Sequence, residues 1–317
     1  MKVTAAAGNP NIATVYRAEM DNGKYVEFIE SVQPPIPREK KWVLIVSTLY
    51  GCPVGCSICD AGGWYDGKLS TGEILSQVDY LVAKYFPGRI IPVKKFKIQF
   101  ARMGEPAFNP NVLEVLDILP SRYNAPGLLP CLSTVAPIGT EPFFEKLLAV
   151  KQRCYTAGKF QLQFSIHSTD SLQRDRLIPV KKWDFDTIAH YGTRFYTGGD
   201  RKITLNFALA VDSVISVKEL IKYFDPGIFT IKLTPVNPTI RAVNKEILNG
   251  MKGDTPGDEP PVARKLRDKG YDVILSIGEA EENKIGSNCG QYISGFREGK
   301  DSTVEGSYQY PLKTIGK

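Results

Sequence analysis

The sequence predicts an α/β fold, an open or partial (β/α)6 barrel with a short N-terminal cap and a C-terminal extension. Short apolar runs alternate with amphipathic stretches, the pattern of successive βα units on a parallel sheet. Six such strands can be placed between residues 42 and 233, each but the last followed by a helical stretch. The segments that carry chemistry fall at the carboxyl ends of those strands, where parallel βα sheets gather their reacting groups.

Residues 1–40 form the cap, with a hairpin turn expected at Asp21-Asn22-Gly23. Residues 42–47 are apolar and β-branched and make the first strand of the core. A helix opens at Ser70 or Thr71, with Glu73 placed to complete a capping box, and runs to about residue 85. Strands follow at 96–101 and 128–134, with helices at 111–119 and 141–153. Residues 160–166 alternate as a fourth strand, with short helices at 171–177 and 185–195. Residues 202–209 and 228–233 complete the set, and 217–224 is helical between them. Residues 250–262, rich in Gly, Pro and Asp, read as a mobile loop. A helix over 262–269 and a strand over 271–276 lead into a glycine-containing tail. The expected division is 1–40 cap, 41–240 core and 241–317 extension, the last carrying Cys289.

Composition sets bounds. The 317 residues, 43% hydrophobic and 23% charged, suffice for one large α/β domain or two small ones. No apolar run approaches the roughly 18 residues of a membrane span, so no membrane partner is expected. The first ten residues are too polar for a secretory signal. The six cysteines are clustered rather than spaced as a disulfide framework, and a cytoplasmic enzyme is expected. A net charge of +6 permits RNA as a partner, but lysines scattered over a solvated surface account for it equally well.

The sharpest motif is Cys52-Pro-Val-Gly-Cys56-Ser-Ile-Cys59, a Cys-x3-Cys-x2-Cys run directly after the first core strand. Iron–sulfur cubanes are held by four ligands, usually thiolates. Three thiolates leave one iron open, which can chelate a small molecule and pass it an electron. A zinc knuckle would want a fourth Cys or His, and none lies in the surrounding loop. Three unrelated buried cysteines remain the bland alternative.

This spacing is the signature of radical S-adenosylmethionine enzymes, which the chain resembles. The resemblance implies a 4Fe-4S cluster on Cys52, Cys56 and Cys59, with S-adenosylmethionine on the open iron and reductive cleavage to a 5′-deoxyadenosyl radical. It also implies an electron donor such as flavodoxin or ferredoxin. A closer resemblance, to the RlmN/Cfr adenine methyltransferases of 23S ribosomal and transfer RNA, runs in register from about residue 14 to about residue 292. It is carried by Arg102-Met103-Gly104-Glu105-Pro106, Leu132-Ser133-Thr134, Ser165-Ile166-His167, Leu233-Thr234-Pro235-Val236-Asn237-Pro238 and Asn288-Cys289-Gly290-Gln291. By that resemblance Gly104, Glu105, Ser133, Ser165, His167 and Asn237 bind the cofactor. Glu105 would accept from its ammonium. Cys289 would accept a methyl group from one S-adenosylmethionine, and a radical from a second would activate that methyl for attack on an electron-poor carbon. Glu30, in Phe28-Ile29-Glu30-Ser31-Val32, is similar to the family's proton-accepting carboxylate after a two-residue shift.

Two departures stand out. The family's second mechanistic cysteine, seven positions before the first cluster cysteine, is replaced by Ile45. Cys131 shares a strand face with Ser133 and is a speculative substitute; Cys154 reads as structural. The family's helical N-terminal accessory domain, which engages RNA, finds no counterpart before the first core strand. The substrate is therefore RNA or a smaller molecule. The alternatives are direct hydrogen abstraction from a small-molecule or peptide substrate, and a non-catalytic nucleic-acid-binding protein with a structural metal knuckle.

Overall fold

The computed structural model describes residues 1–251, 259–293 and 308–315. Residues 252–258 of the Gly/Pro/Asp-rich loop, predicted mobile, lie outside the described residues. In chain order the strands and helices are β1 (Lys2–Asn9), β2 (Ala13–Glu19), β3 (Tyr25–Ser31), β4 (Trp42–Val46), β5 (Leu49–Gly51), β6 (Tyr65–Lys68), α1 (Thr71–Tyr85), β7 (Phe96–Phe100), α2 (Asn111–Arg122), β8 (Leu128–Thr134), α3 (Glu141–Cys154), β9 (Gln161–Ser165), α4 (Ser171–Leu177), α5 (Phe185–Phe195), β10 (Ile203–Leu209), α6 (Val217–Tyr223), β11 (Phe229–Pro235), α7 (Ile240–Asn244), α8 (Pro261–Arg267), β12 (Val273–Leu275), α9 (Ala280–Ile285) and β13 (Lys313–Thr314).

One 11-stranded sheet dominates, ordered β12-β11-β10-β9-β8-β7-β4-β3-β2-β1-β13, and it is open rather than closed into a barrel. From β4 to β12 every pairing is parallel. From β4 back through β3, β2 and β1 to β13 every pairing is antiparallel. The turn at residues 21–23 joins β2 to β3 as the sequence predicts.

Period-two patterning decides which face does what. Leu44, Ile98, Phe100, Leu132, Phe164, Leu205, Ile231 and Leu233 point one way and form the main core with α1, α2 and α3. Fully burying each contributes roughly 1.5–3 kcal/mol. Ser70 caps α1: its hydroxyl accepts from the Glu73 N–H at 3.2 Å, and the Glu73 carboxylate accepts from the Ser70 N–H at 2.8 Å. That reciprocal cap contributes about 1 kcal/mol. Helix α2 outruns its predicted end at 119 and carries Pro120 inside. The Leu116 carbonyl that a residue-120 N–H would have met accepts from the Tyr155 hydroxyl instead, so the proline leaves no orphan.

Candidate active site at the carboxyl edge of the sheet

The cysteine loop hangs between β5 and β6. Gly51, at φ 77°, makes the sharp exit: a Cβ there would sit 2.3 Å from the Trp64 carbonyl oxygen. That carbonyl accepts from the Cys52 N–H at 2.9 Å and closes the loop's neck. Its outer rim is fastened by Arg241, which donates to the carbonyls of Gly55 (3.0 Å) and Cys56 (3.1 Å). Asp60 accepts from the N–H groups of Ile240 (3.1 Å) and Arg241 (2.9 Å) and from the Tyr308 hydroxyl.

Cys52, Cys56 and Cys59 line a cavity of about 320 Å³. The same cavity is lined by Gly104, Glu105, Ser133, Ser165, His167, Asn237 and Cys289. Ten of the eleven sequence-predicted site residues therefore meet in one place, most of them delivered by strands and the segments that follow them, and Cys289 by the segment after α9. A more open groove of about 460 Å³ lies toward the other end of the strands, around Asn124, Tyr155 and Lys159, and none of the predicted residues line it.

Glu30 is the exception. It pairs with Leu44 across β3 and β4 and faces α1, where its carboxylate accepts from the Tyr16 hydroxyl (2.6 Å), Lys84 (2.9 Å) and the Tyr85 hydroxyl (2.9 Å). That is the helix side of the sheet, so the expected proton acceptor is corrected to a buried structural carboxylate. Its neighbour Ile29 pairs with Ile45, which does line the cavity. Glu27, two further back, shares the Ile29 face and forms a fully buried ion pair with Arg102 at 2.5 Å.

That pair is what the sequence reading missed, and it controls Cys289. Arg102 donates to the carbonyls of Gly286 (3.1 Å) and Asn288 (3.0 Å). Glu27 accepts from the Ile293 N–H at 2.6 Å, and the Cys289 carbonyl accepts from Asp60 N–H at 3.1 Å. The loop that carries Cys289 is thus pinned on both sides of its thiol. The only sequence signal was the Arg that stands where the resembling family has glycine in its Gly-Met-Gly-Glu-Pro turn.

Electrostatics follow from burial. Desolvation pushes the Cys52 thiol up to about 12 and raises Cys56 and Cys59 as well, each further raised by neighbouring thiols. Such thiols stay protonated until a cation shares the site. Burial likewise raises Cys289, opposed by the Asn237 amide, whose Nδ2 lies 3.7 Å from Sγ, and by Arg102 and Lys232. Glu105 caps the short 3-10 turn Pro106–Phe108 through the Ala107 N–H (3.0 Å) and accepts from Val135 N–H (2.8 Å) and the Thr134 hydroxyl (2.5 Å). Burial still lifts it to about 7. Gly104, at φ 100°, admits no side chain, since a Cβ would lie 2.5 Å from that of Leu49. His167 accepts the Ala208 N–H at Nδ1 (3.1 Å), which fixes the Nε2–H tautomer, and burial lowers it to about 4.

The donor set fits the implied cofactors. Among the described residues no three or more His, Cys, Asp or Glu converge on one point. A cubane does not ask for that, because its thiolates bind different irons. The Ser133 hydroxyl and the Asn206 Oδ1 are buried without partners in the same cavity, which a polar ligand would satisfy. Cys131 is buried and two residues below Ser133, and it does not line the cavity, whereas Ile45 does. Cys154 donates to Asp117 at 3.3 Å, far from this edge.

An open parallel βα sheet whose first core strand leads into a Cys-x3-Cys-x2-Cys loop is the arrangement that radical S-adenosylmethionine enzymes share. No family model matches the chain. It is 28% identical over 276 residues to the dual-specificity RNA methyltransferase RlmN of Wolinella succinogenes, covering 84% of this chain and 71% of that one. It is also 28% identical over 276 residues to a probable dual-specificity RNA methyltransferase RlmN of Desulfitobacterium hafniense, covering 84% and 72%. In fold it matches a radical SAM methyltransferase from Sphaerobacter thermophilus, with TM-score 0.63, 17% identity and coverage of 90% and 80%. Within its class the chain is RlmN/Cfr-like. Enzymes of this class work with a 4Fe-4S cluster and S-adenosylmethionine.

Proposed function

We propose that this chain methylates an electrophilic carbon of RNA or of a smaller molecule by way of a methyl group carried on Cys289. The observation that carries the reading is the shared cavity: Cys289 lines the same 320 Å³ space as Cys52, Cys56 and Cys59. Those three thiols would hold the cluster, which when bound supplies the electron that splits S-adenosylmethionine.

The chain's own residues do the rest. Glu105, raised by burial, gains a charge partner when an ammonium arrives. The Ser133 hydroxyl offers an unmet hydrogen bond to the cofactor's polar groups. His167, neutral at physiological pH, donates from Nε2 without adding charge. Burial raises Cys289, and Asn237, Arg102 and Lys232 oppose that rise without reversing it. Once its proton has left to solvent, Cys289 would be the group placed to take the methyl of S-adenosylmethionine, a carbon–sulfur bond forming there as the sulfonium bond breaks. With one hydrogen atom removed by the radical that cofactor cleavage would supply, a carbon held on sulfur in this way could add to an electron-poor ring position, which a sulfonium methyl cannot attack.

Division into cap 1–40, core 41–240 and extension 241–317 belongs to this reading. So do a flavodoxin or ferredoxin donor and a cytoplasmic setting; among the described residues no helix is long and apolar enough to cross a membrane. One observation favours a second reading, direct hydrogen abstraction: Ile45 occupies the cavity wall where the resembling family keeps its second thiol. Mass spectrometry of the peptide containing Cys289, from protein made in cells with an intact cluster site, separates the two. An added methyl group supports the carrier role. Its absence from a protein that cleaves S-adenosylmethionine establishes the direct reaction.

A further inference from the structure

We propose that the inner wall of the reaction cavity holds an oxyanion subsite, built by Lys232 and Lys97 with the carboxamides of Gln99, Gln163 and Asn206, which takes a phosphate or diphosphate group of the molecule being modified. It rests on the reading of this cavity as the reaction site and adds the charge of the substrate to it.

The strands place these groups together. Lys232 lines the cavity from β11, beside Asn206 on β10, its register partner. Gln99 and Gln163 line it from β7 and β9, and Lys97, two residues before Gln99, shares its face. Lys41 and Lys95, just before β4 and β7, and Arg201, before β10, lie at the amino ends of their strands, outside the cavity lining. Lys41 is in electrostatic reach of Lys97 and Lys232, and Lys95 is in reach of Lys41, Lys97 and Arg201. Against these five cations, among the described residues, the cavity is lined by two carboxylates: Glu282, which already accepts from the Glu279 N–H at 3.2 Å, and Glu105, which already accepts from the Ala107 and Val135 N–H groups and the Thr134 hydroxyl.

Lysines outside the sheet, on its flanking helices and loops, are treated differently. Lys84, Lys151 and Lys182 each contact a carboxylate, Glu30, Asp200 and Asp175 respectively. Lys97 and Lys232 have no such partner among the described residues. Burial first, and then Lys97, pulls the Lys232 amine below its ordinary range. An anion between them would remove the repulsion and repay the desolvation together. The carboxamides are unspent as well: Gln163 and Asn206 are each only 8% exposed, and Asn206 Oδ1 has no partner. A carboxamide turned about its last bond presents two N–H donors. Charge count favours phosphate over carboxylate, because a phosphomonoester brings about −1.5 to −2 where a carboxylate brings one charge.

The test is calorimetric titration of the anaerobically reconstituted protein with inorganic pyrophosphate, adenosine diphosphate, adenosine and acetate. Pyrophosphate and adenosine diphosphate should bind at least tenfold more tightly than adenosine or acetate. Lys232→Met, and separately Lys97→Met, should weaken pyrophosphate at least tenfold, leaving iron content, melting temperature and S-adenosylmethionine affinity unchanged; Lys232→Arg should keep most of the binding. Pyrophosphate affinity indifferent to both Met variants overturns the subsite. So does displacement of pyrophosphate by S-adenosylmethionine, which would place it in the cofactor's own seat. Methylated Cys289 without Lys232-dependent pyrophosphate binding sinks this subsite alone; unmethylated Cys289 with such binding sinks the carrier reading alone.

Discussion

The two faces of the parallel sheet obey opposite rules although each strand contributes to both. On the helix side Leu44, Ile98, Phe100, Leu132, Phe164 and Leu233 pack a continuous apolar layer. On the cavity side the alternate positions are Ile45, Gln99, Ser133, Gln163, Asn206 and Lys232, and several carry buried polar groups with nothing to bind. The first face is almost wholly apolar, with Trp42 Nε1 and Glu30 Oε2 as its buried polar atoms lacking a partner among the described residues. The second is incomplete without a ligand, and that asymmetry separates what stabilises the protein from what it uses.

The largest effect expected is from the cysteine loop. Changing any one of Cys52, Cys56 or Cys59 to Ala should drop bound iron from about four per chain to near none and abolish S-adenosylmethionine cleavage, read by iron assay and by 5′-deoxyadenosine formation. Melting of the metal-free protein should hardly change. On the opposite face the pattern should invert. Phe100→Ala, at a position with 0% exposure, should cost about 3–5 kcal/mol in denaturant unfolding, while the folded fraction still takes up iron. If the thiol variants unfold and the Phe100 variant loses iron, the division between the faces is wrong.

The Arg102–Glu27 pair sharpens the comparison because it is charged and yet structural, buried on both sides at 0% side-chain exposure. Arg102→Met strands the Glu27 carboxylate and should cost about 3–5 kcal/mol. The double variant with Glu27→Gln should recover much of that, since the stranded charge is gone. Recovery of stability without recovery of Cys289 methylation would show that the guanidinium positions the loop through the Gly286 and Asn288 carbonyls. Parallel recovery of both would reduce it to packing.

Most of this architecture was legible in the sequence for a physical reason. The core strands are apolar at one parity and their helices carry caps such as Ser70 with Glu73, so periodicity and capping chemistry found them within a few residues. The motifs at the strand ends were legible because a thiolate triplet and a Gly-Glu-Pro turn are rare by chance. Glu30 sits on the α1 side of β3, away from the cavity, which an alignment could not show because it carries no information on which face a strand residue occupies. Short pieces escaped too. β5, β6, α7 and α9 are too brief for a period to show, and their positions are set by contacts such as Arg241 to the cysteine loop rather than by local pattern. The amines Lys97 and Lys232 read as surface charge because composition cannot tell an inward lysine from an outward one.

His167 offers a pH test of the cavity face. Its folded value of about 4 lies below the ordinary 6.5, so between these values the unfolded chain binds the extra proton. Stability is therefore lost as pH falls from 6.5 toward 4, by about 3 kcal/mol in all. Glu105 runs the other way: raised to about 7 from 4.5, its contribution is full below 4.5 and lost as pH rises through 7. The difference between wild type and His167→Asn isolates the histidine. Asn tolerates the φ of 62° at this position and has no proton to gain. Denaturant unfolding of the metal-free proteins should converge as pH falls, wild type losing its advantage. Parallel curves would mean that His167 is not held neutral by burial.

The smallest effect expected is at Cys131, which separates position on a face from access to the cavity. Its side chain is on the same face as Ser133 yet buried at 1% exposure, two residues toward the amino end of β8, in register with Gln99 and Gln161. To serve as the missing second thiol it would have to reach Cys289 past Ser133, along a wall that Ile45 and Gln99 already fill. Cys131→Ala should therefore leave iron content and Cys289 methylation unchanged and cost about 1 kcal/mol, the size of a small buried truncation. An adduct between Cys289 and substrate that accumulates only in this variant would overturn that placement, because only a thiol taking part in release could cause it.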